Sequence, residues 1–144
     1  MIRIRVMTMD DYDAVLALMN ATPGISIRDA DGRDATARYL ARNPGMSFVA
    51  ESDSGLCGCV MCGHDGRRGY LQHLLVLPVH RGQGIARSLV QRCLASLEAL
   101  GIEKCHLDVL TTNDTAARYW QHEGWKKRDD IERYSFTQPG RENA

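Results

Sequence analysis

The segment from Tyr70 to Gly101 constrains this chain more than any other, because it reads as strand, glycine-rich turn and long helix in unbroken succession. Tyr70 to Val76 is an apolar-rich run of the kind found in a central strand. Pro78 ends the ladder there, having no N–H to donate. From Gly84 to Leu100, Ile85, Leu89, Cys93 and Leu97 recur every fourth residue, with Ala86, Val90 and Leu94 beside them. That spacing lays a wide apolar stripe along one helix, and Gly101 provides its left-handed stop. Between strand and helix stands Arg81-Gly-Gln-Gly84-Ile-Ala-Arg87. Two glycines let the backbone turn tightly with no side chain in the way of a ligand. The first N–H groups of the helix point outward, and its macrodipole places about half a positive charge at that end. Such a nest binds phosphate, and Arg81 and Arg87 can add charge-assisted hydrogen bonds. The spacing lacks the third glycine of a dinucleotide fingerprint and the lysine of a phosphate-binding P-loop, so neither of those readings holds.

The remaining pattern surrounds this unit with an α+β domain. Ile2, Ile4 and Val6 alternate with Arg3 and Arg5 as a first strand. Thr8 or Asp10 can cap a helix carrying Tyr12, Val15, Leu16 and Met19, and a second helix is expected from Asp34 to Arg42, before Asn43-Pro44-Gly45. Phe48 to Glu51 and Leu56 to His64 read as a hairpin across the turn Ser52-Asp-Ser-Gly55. After the long helix, Cys105, Leu107 and Val109 alternate as a further strand. Asn113 or Asp114 caps a short helix through His122, and Trp125–Arg128 with Glu132–Thr137 is expected to close the chain as a hairpin. The order is β-α-α-β-β-β-α-β-α-β-β around a mixed, mostly antiparallel sheet. Residues 1–138 are expected to form a single domain, with 139–144 as a frayed tail.

Composition narrows the function classes. At 144 residues the chain suits one domain. Lys+Arg and Asp+Glu both number 18, so there is no basic excess to suggest a nucleic-acid partner. No window approaches the ~20 apolar residues of a membrane span, and Met1–Met7 lacks a signal-peptide core, so a cytoplasmic location is expected. The five cysteines at 57, 59, 62, 93 and 105 have no paired spacing. On a strand, 57 and 59 share a face that 62 does not, so they read as small buried thiols and no metal is expected.

The phosphate-cradling loop and its flanks resemble the GNAT superfamily of acyl-CoA N-acyltransferases. Arg81-Gly-Gln-Gly84-Ile-Ala86 fits that family's Arg/Gln-x-x-Gly-x-Gly/Ala signature, and Gln72 to Ala86 is similar to its fourth strand and pyrophosphate loop in unbroken register. Asp108-Val-Leu-Thr-Thr-Asn113 resembles the fifth strand and the asparagine after it. Tyr119-Trp-Gln-His-Glu-Gly-Trp125 is similar to the aromatic ending, and Ile4 to Asp11 to the opening. The resemblance implies an N-acetyltransferase that takes acetyl-CoA as donor and an amine of a small molecule or peptide as acceptor, acting as a monomer or homodimer.

Carried over by residue, the resemblance implies that the backbone of Leu74, Leu75 and Val76 pairs with pantetheine and that Arg81, Gly82, Gln83, Gly84, Ile85, Ala86 and Arg87 hold the pyrophosphate. Asn113 and Trp120 would lie against the cofactor, and Gln72 against the acceptor. An amine with a pKa of ~10.4 must lose a proton before it attacks, so a base is needed. Many members carry an acid where this chain has Gln72. Asp108, five residues before Asn113, matches a position where relatives that acetylate a ribosomal-protein alanine place a glutamate, and it is the catalytic candidate. His73 is the reserve, although strand alternation would turn it from the face of Gln72. The family's tyrosine acid falls at Trp120, whose indole N–H cannot serve. A domain that binds acetyl-CoA as a sensor, without turnover, is therefore the alternative. The acceptor would be chosen by residues 20–43, which hold Arg28, Asp29, Asp31, Arg33 and Asp34.

Overall fold

A computed structural model describes residues 1–144, which divide into two compact units, Met1–Leu107 and Asp108–Ala144. The first contains a five-stranded sheet in sequential order: β1 (Arg3–Val6), β2 (Phe48–Ser52), β3 (Gly55–His64), β4 (Gly69–Val76) and β5 (Cys105–His106). Neighbours are antiparallel except β4 and β5, which run parallel. The mixed, mostly antiparallel α+β architecture agrees with the alternation of apolar residues in these runs.

Helices cover both faces of the sheet. One side carries α1 (Tyr12–Asn20) and α2 (Arg33–Arg42). Val15, Leu18 and Met19 of α1 close a core with Met7, Val49, Cys59, Met61 and Leu75. The N-cap of α1 is Asp11, where Thr8 or Asp10 was expected; Thr8 instead opens the short 3-10 turn Met9–Asp11 that runs into α1, its N–H donating to the Asp11 carboxylate at 2.9 Å. On the other side lies α3 (Ile85–Ala99), whose Ile85, Leu89, Val90, Cys93 and Leu97 are buried. The fourfold spacing of its apolar residues thus becomes the face laid on β2, β3 and β4. Gly69 makes that approach possible: a Cβ there would stand 2.5 Å from Leu97 Cδ1.

Four of the five free cysteines, all but Cys105, are buried. Burial pushes the Cys59 thiol up to about 12, so it stays neutral at physiological pH. It donates to the His73 carbonyl at 3.4 Å.

In the second unit α4 (Asp114–His122) is capped by Asn113, whose Oδ1 accepts the Ala116 N–H at 3.0 Å. Two expectations need correction. The strand expected over 105–109 is paired only at Cys105 and His106, and the closing hairpin over 125–128 and 132–137 forms no strand. Charges in that second stretch satisfy one another locally. Arg128 donates two bonds of 2.9 Å to Asp130, and Lys127 lies 3.6 Å from Asp129. The last residues close two turns, with Arg141 N–H donating to Gln138 and Ala144 N–H to Arg141.

Candidate active site

The loop after β4 has the conformation that its glycines require. Gly82 and Gly84 sit at φ +79° and +78°, in the left-handed region that a Cβ disfavours. No atom crowds either position, so conformation and not space demands glycine there. Gly84 is the residue from which α3 starts. Its carbonyl accepts the first helical bond, from Ser88 N–H at 3.0 Å, and no side chain caps the helix. The amides of the first turn are therefore left for a ligand, at the positive end of a 15-residue helix. Gln83 and Arg87 are exposed beside them and Ala86 is half-buried, while Ile85 anchors the turn in the core. Arg81 braces the loop from within, its Nε donating to the Val76 carbonyl at 3.0 Å.

Beside this loop, β4 leaves its regular ladder. Gln72 faces Met61 and Leu75 faces Cys59, so β4 spends three residues where β3 spends two. His73 and Leu74 face no partner, which is a β-bulge. The extra residue restores Gln72 and Leu75 to the same face, whereas uninterrupted alternation would separate them. The pivot is His73, the only non-glycine residue with a positive φ, at 51°. On its other edge β4 is paired with β5 only at Gly69 and Tyr70. Residues 71–76 therefore keep a backbone edge that β5 does not cover. Leu74 is half-buried, Leu75 and Val76 are buried, and Gln72 is exposed.

The bulge also places His73 against a residue that no local pattern connects with it. His73 Nε2 lies 2.8 Å from Asp31 Oδ1, in the 3-10 turn Asp29–Asp31 before α2. Both side chains are largely covered, at 21% and 12% exposed. Asp31 is itself held, accepting the Arg28 N–H at 2.9 Å through Oδ2 and the Tyr12 hydroxyl at 2.7 Å through its carbonyl. A small cavity of about 10 Å³, room for roughly one water, lies against this turn, lined by Met9, Tyr12, Leu16, Asp31 and Met61.

These features, a phosphate-ready helix start directly after a bulged strand, coincide with what similarity shows. Residues 12–125 match the acetyltransferase (GNAT) family. The chain belongs to the GNAT family. A protein of Pectobacterium atrosepticum named as an acetyltransferase is 37% identical over 111 residues, covering 77% of this chain and 78% of that protein. Among solved structures, the PaiA N-acetyltransferase of Thermoplasma acidophilum in complex with coenzyme A superposes with a TM-score of 0.80 at 18% identity, over 91% of this chain and 93% of that one. A predicted acetyltransferase of Clostridium acetobutylicum with acetyl-CoA gives 0.69 at 17%, over 94% and 96%. At such identities the structures speak for the GNAT fold.

The other sequence candidates of this GNAT chain lie in the second unit. Asp108 is 70% exposed and accepts from Arg133 Nη2 at 3.1 Å. Asn113 caps α4, and Trp120 is stacked edge-on between Tyr119 and Trp125, with ring centroids 5.1 and 5.0 Å away. Sequence reasoning missed Asp31 as the partner of His73. The two are 42 residues apart, and only a signal of spatial pairing could have joined them.

Proposed function

We propose that this GNAT acetyltransferase moves an acetyl group from acetyl-CoA to a primary amine of a small molecule or peptide, by direct attack in a ternary complex. The observation that carries this reading is the uncapped start of α3 behind two left-handed glycines, adjoining the free backbone edge of β4. In it the amides of residues 82–87, with Arg81 and Arg87, hold the pyrophosphate. The main chain of Leu74, Leu75 and Val76 pairs with the pantetheine arm. An N–H near Leu75 serves the developing oxyanion, as preorganised donors do in acyl transfer. Asn113 and Trp120 complete the cofactor contacts, Gln72 meets the acceptor, and residues 1–138 work as one catalytic domain. Asp108 is the carboxylate that the resemblance offers for proton removal, with His73 as its rival. The leaving thiol has an intrinsic pKa close to that of cysteine, ~8.5, so water can protonate it and the tryptophan at position 120 does not forbid turnover.

The test is thiol release from acetyl-CoA with a mixed panel of amines. Turnover above the buffer rate supports transfer. Saturable acetyl-CoA binding with no thiol release for any amine would favour the second reading, a sensor, which Trp120 at the tyrosine position and Gln72 at the acid position support.

A further inference from the structure

We propose that His73 is the group that takes the proton from the acceptor amine, and that Asp31 is the positioning residue that orients it. This deepens the acetyl-transfer reading and rests on it. An ionised carboxylate only accepts hydrogen bonds, so the 2.8 Å contact puts a hydrogen on Nε2 and leaves the lone pair on Nδ1. Nδ1 has no protein partner. The arrangement is that of a base whose tautomer is set by a carboxylate on its far nitrogen, a pattern known from unrelated acyl-transfer sites.

Three observations converge on this role. First, His73 immediately precedes Leu74 and Leu75, the stretch of main chain that would face the thioester, so base and oxyanion donor share one bulge. Second, the bulge holds His73 at φ +51°, a conformation that costs about 1 kcal/mol or more for a non-glycine residue and collects at functional sites. A bulge needing only a left-handed residue could take glycine without that strain. Third, Asp31 belongs to the connection between α1 and α2, so the pair ties the base on β4 to the segment between those two helices. The titratable or charged groups bonded to the pair are the Tyr12 phenol on α1, which donates to the Asp31 carbonyl; Arg28, whose backbone N–H donates to the Asp31 carboxylate; and the neutral Cys59 thiol on β3, which donates to the His73 carbonyl.

In the step, the amine lone pair forms the C–N bond, the C–S bond breaks, and its electron pair leaves on sulfur. The nitrogen proton passes to Nδ1, and the imidazolium so formed is stabilised by Asp31 until it yields the proton to solvent.

The experiment measures thiol release from pH 5 to 9 with an amine that supports turnover, for the wild type, His73→Asn and Asp31→Asn. Asparagine tolerates the left-handed backbone but cannot act as a base. His73→Asn should lower kcat at least 100-fold, leave acetyl-CoA affinity within about twofold, and abolish the acidic limb of the profile. Asp31→Asn should keep that limb, shift it to lower pH and reduce kcat about 10-fold, whereas a merely structural latch would lower thermal stability without moving the limb. Wild-type kcat and an intact limb in His73→Asn would overturn the proposal, as would loss of the limb only in Asp108→Asn. Failure of the wild type to turn over any amine would sink the transfer reading itself. Long-range proton–nitrogen NMR of the wild-type ring gives a second readout that needs no variant to fold. It should find neutral His73 protonated on Nε2, and protonation on Nδ1 would overturn the proposal.

Discussion

Arg81 reaches back five residues to Val76, its Nε donating to the carbonyl at 3.0 Å, so the phosphate-ready loop is tied to the last residue of the strand before it. The contact uses the Nε–H of a guanidinium that has five N–H donors. Replacing Arg81 with alanine should weaken acetyl-CoA binding about 10-fold, equivalent to ~1.4 kcal/mol, near the lower end of what a hydrogen bond to a charged group contributes. Lysine should recover little of it, since it has no Nε–H at that point of the chain. Calorimetric titration with acetyl-CoA checks both variants; equal affinity for alanine and wild type would show the bond to be idle.

A Cβ at Gly84 meets no neighbour, so the effect of Gly84→Ala isolates conformation from crowding. Holding alanine at φ +78° should cost ~1–2 kcal/mol. If the helix start relaxes to avoid that strain, its amides no longer converge on one anion. Melting temperature should fall, and acetyl-CoA should stabilise the variant less than the 2.7 kcal/mol expected of the wild type at about 100 times its Kd. A thermal-shift series at increasing acetyl-CoA reads both effects.

Acid sensitivity should centre on Glu51, which Arg5 and Arg3 grip at 2.9 and 2.7 Å. Arg5, then Arg3, lower its carboxyl to about 2, and Arg5 also holds the buried Asp11 carboxyl below its ordinary value through bonds of 2.7 and 2.9 Å. Both groups bind fewer protons in the folded state than in the unfolded one. Their contribution to stability is therefore complete above about pH 4.5 and is lost as pH falls from there towards 2. Arg5→Met should flatten that part of the stability profile while lowering stability at neutral pH. Urea unfolding between pH 2.5 and 7 measures it, and an unchanged acidic slope would refute the assignment.

Gly69 and Leu97 should behave as a coupled pair. A methyl group at 69 would collide with Leu97 Cδ1, so Gly69→Ala should cost ~1–3 kcal/mol by overpacking. Leu97→Ala alone should cost ~2–5 kcal/mol by leaving a cavity. Together the two should cost less than their sum, because the new methyl enters space that the leucine vacated. Additive losses in a double-mutant cycle of chemical denaturation would mean that the backbone moves to accommodate alanine.

The parts of this molecule that were legible in the sequence are those decided within a few residues. The stripe Ile85, Leu89, Cys93 and Leu97 needs only the helical period to declare its buried face, and Gly82 and Gly84 declare a left-handed turn because side-chain sterics act on the residue itself. Asn113 likewise caps the helix that begins beside it. The tertiary structure alone decided the register of β4 on β3, the brevity of β5 and the contact of His73 with Asp31. Alternation predicted that His73 would turn away from Gln72, but a bulge changes which face each later residue takes, and a bulge is set by the partner strand. The missing closing hairpin teaches the same lesson, since apolar alternation over 132–137 forms no strand without a ladder to join. Sequence period fixes the conformation a segment prefers, whereas pairing and long-range contacts are chosen when separate segments compete to bury their faces together.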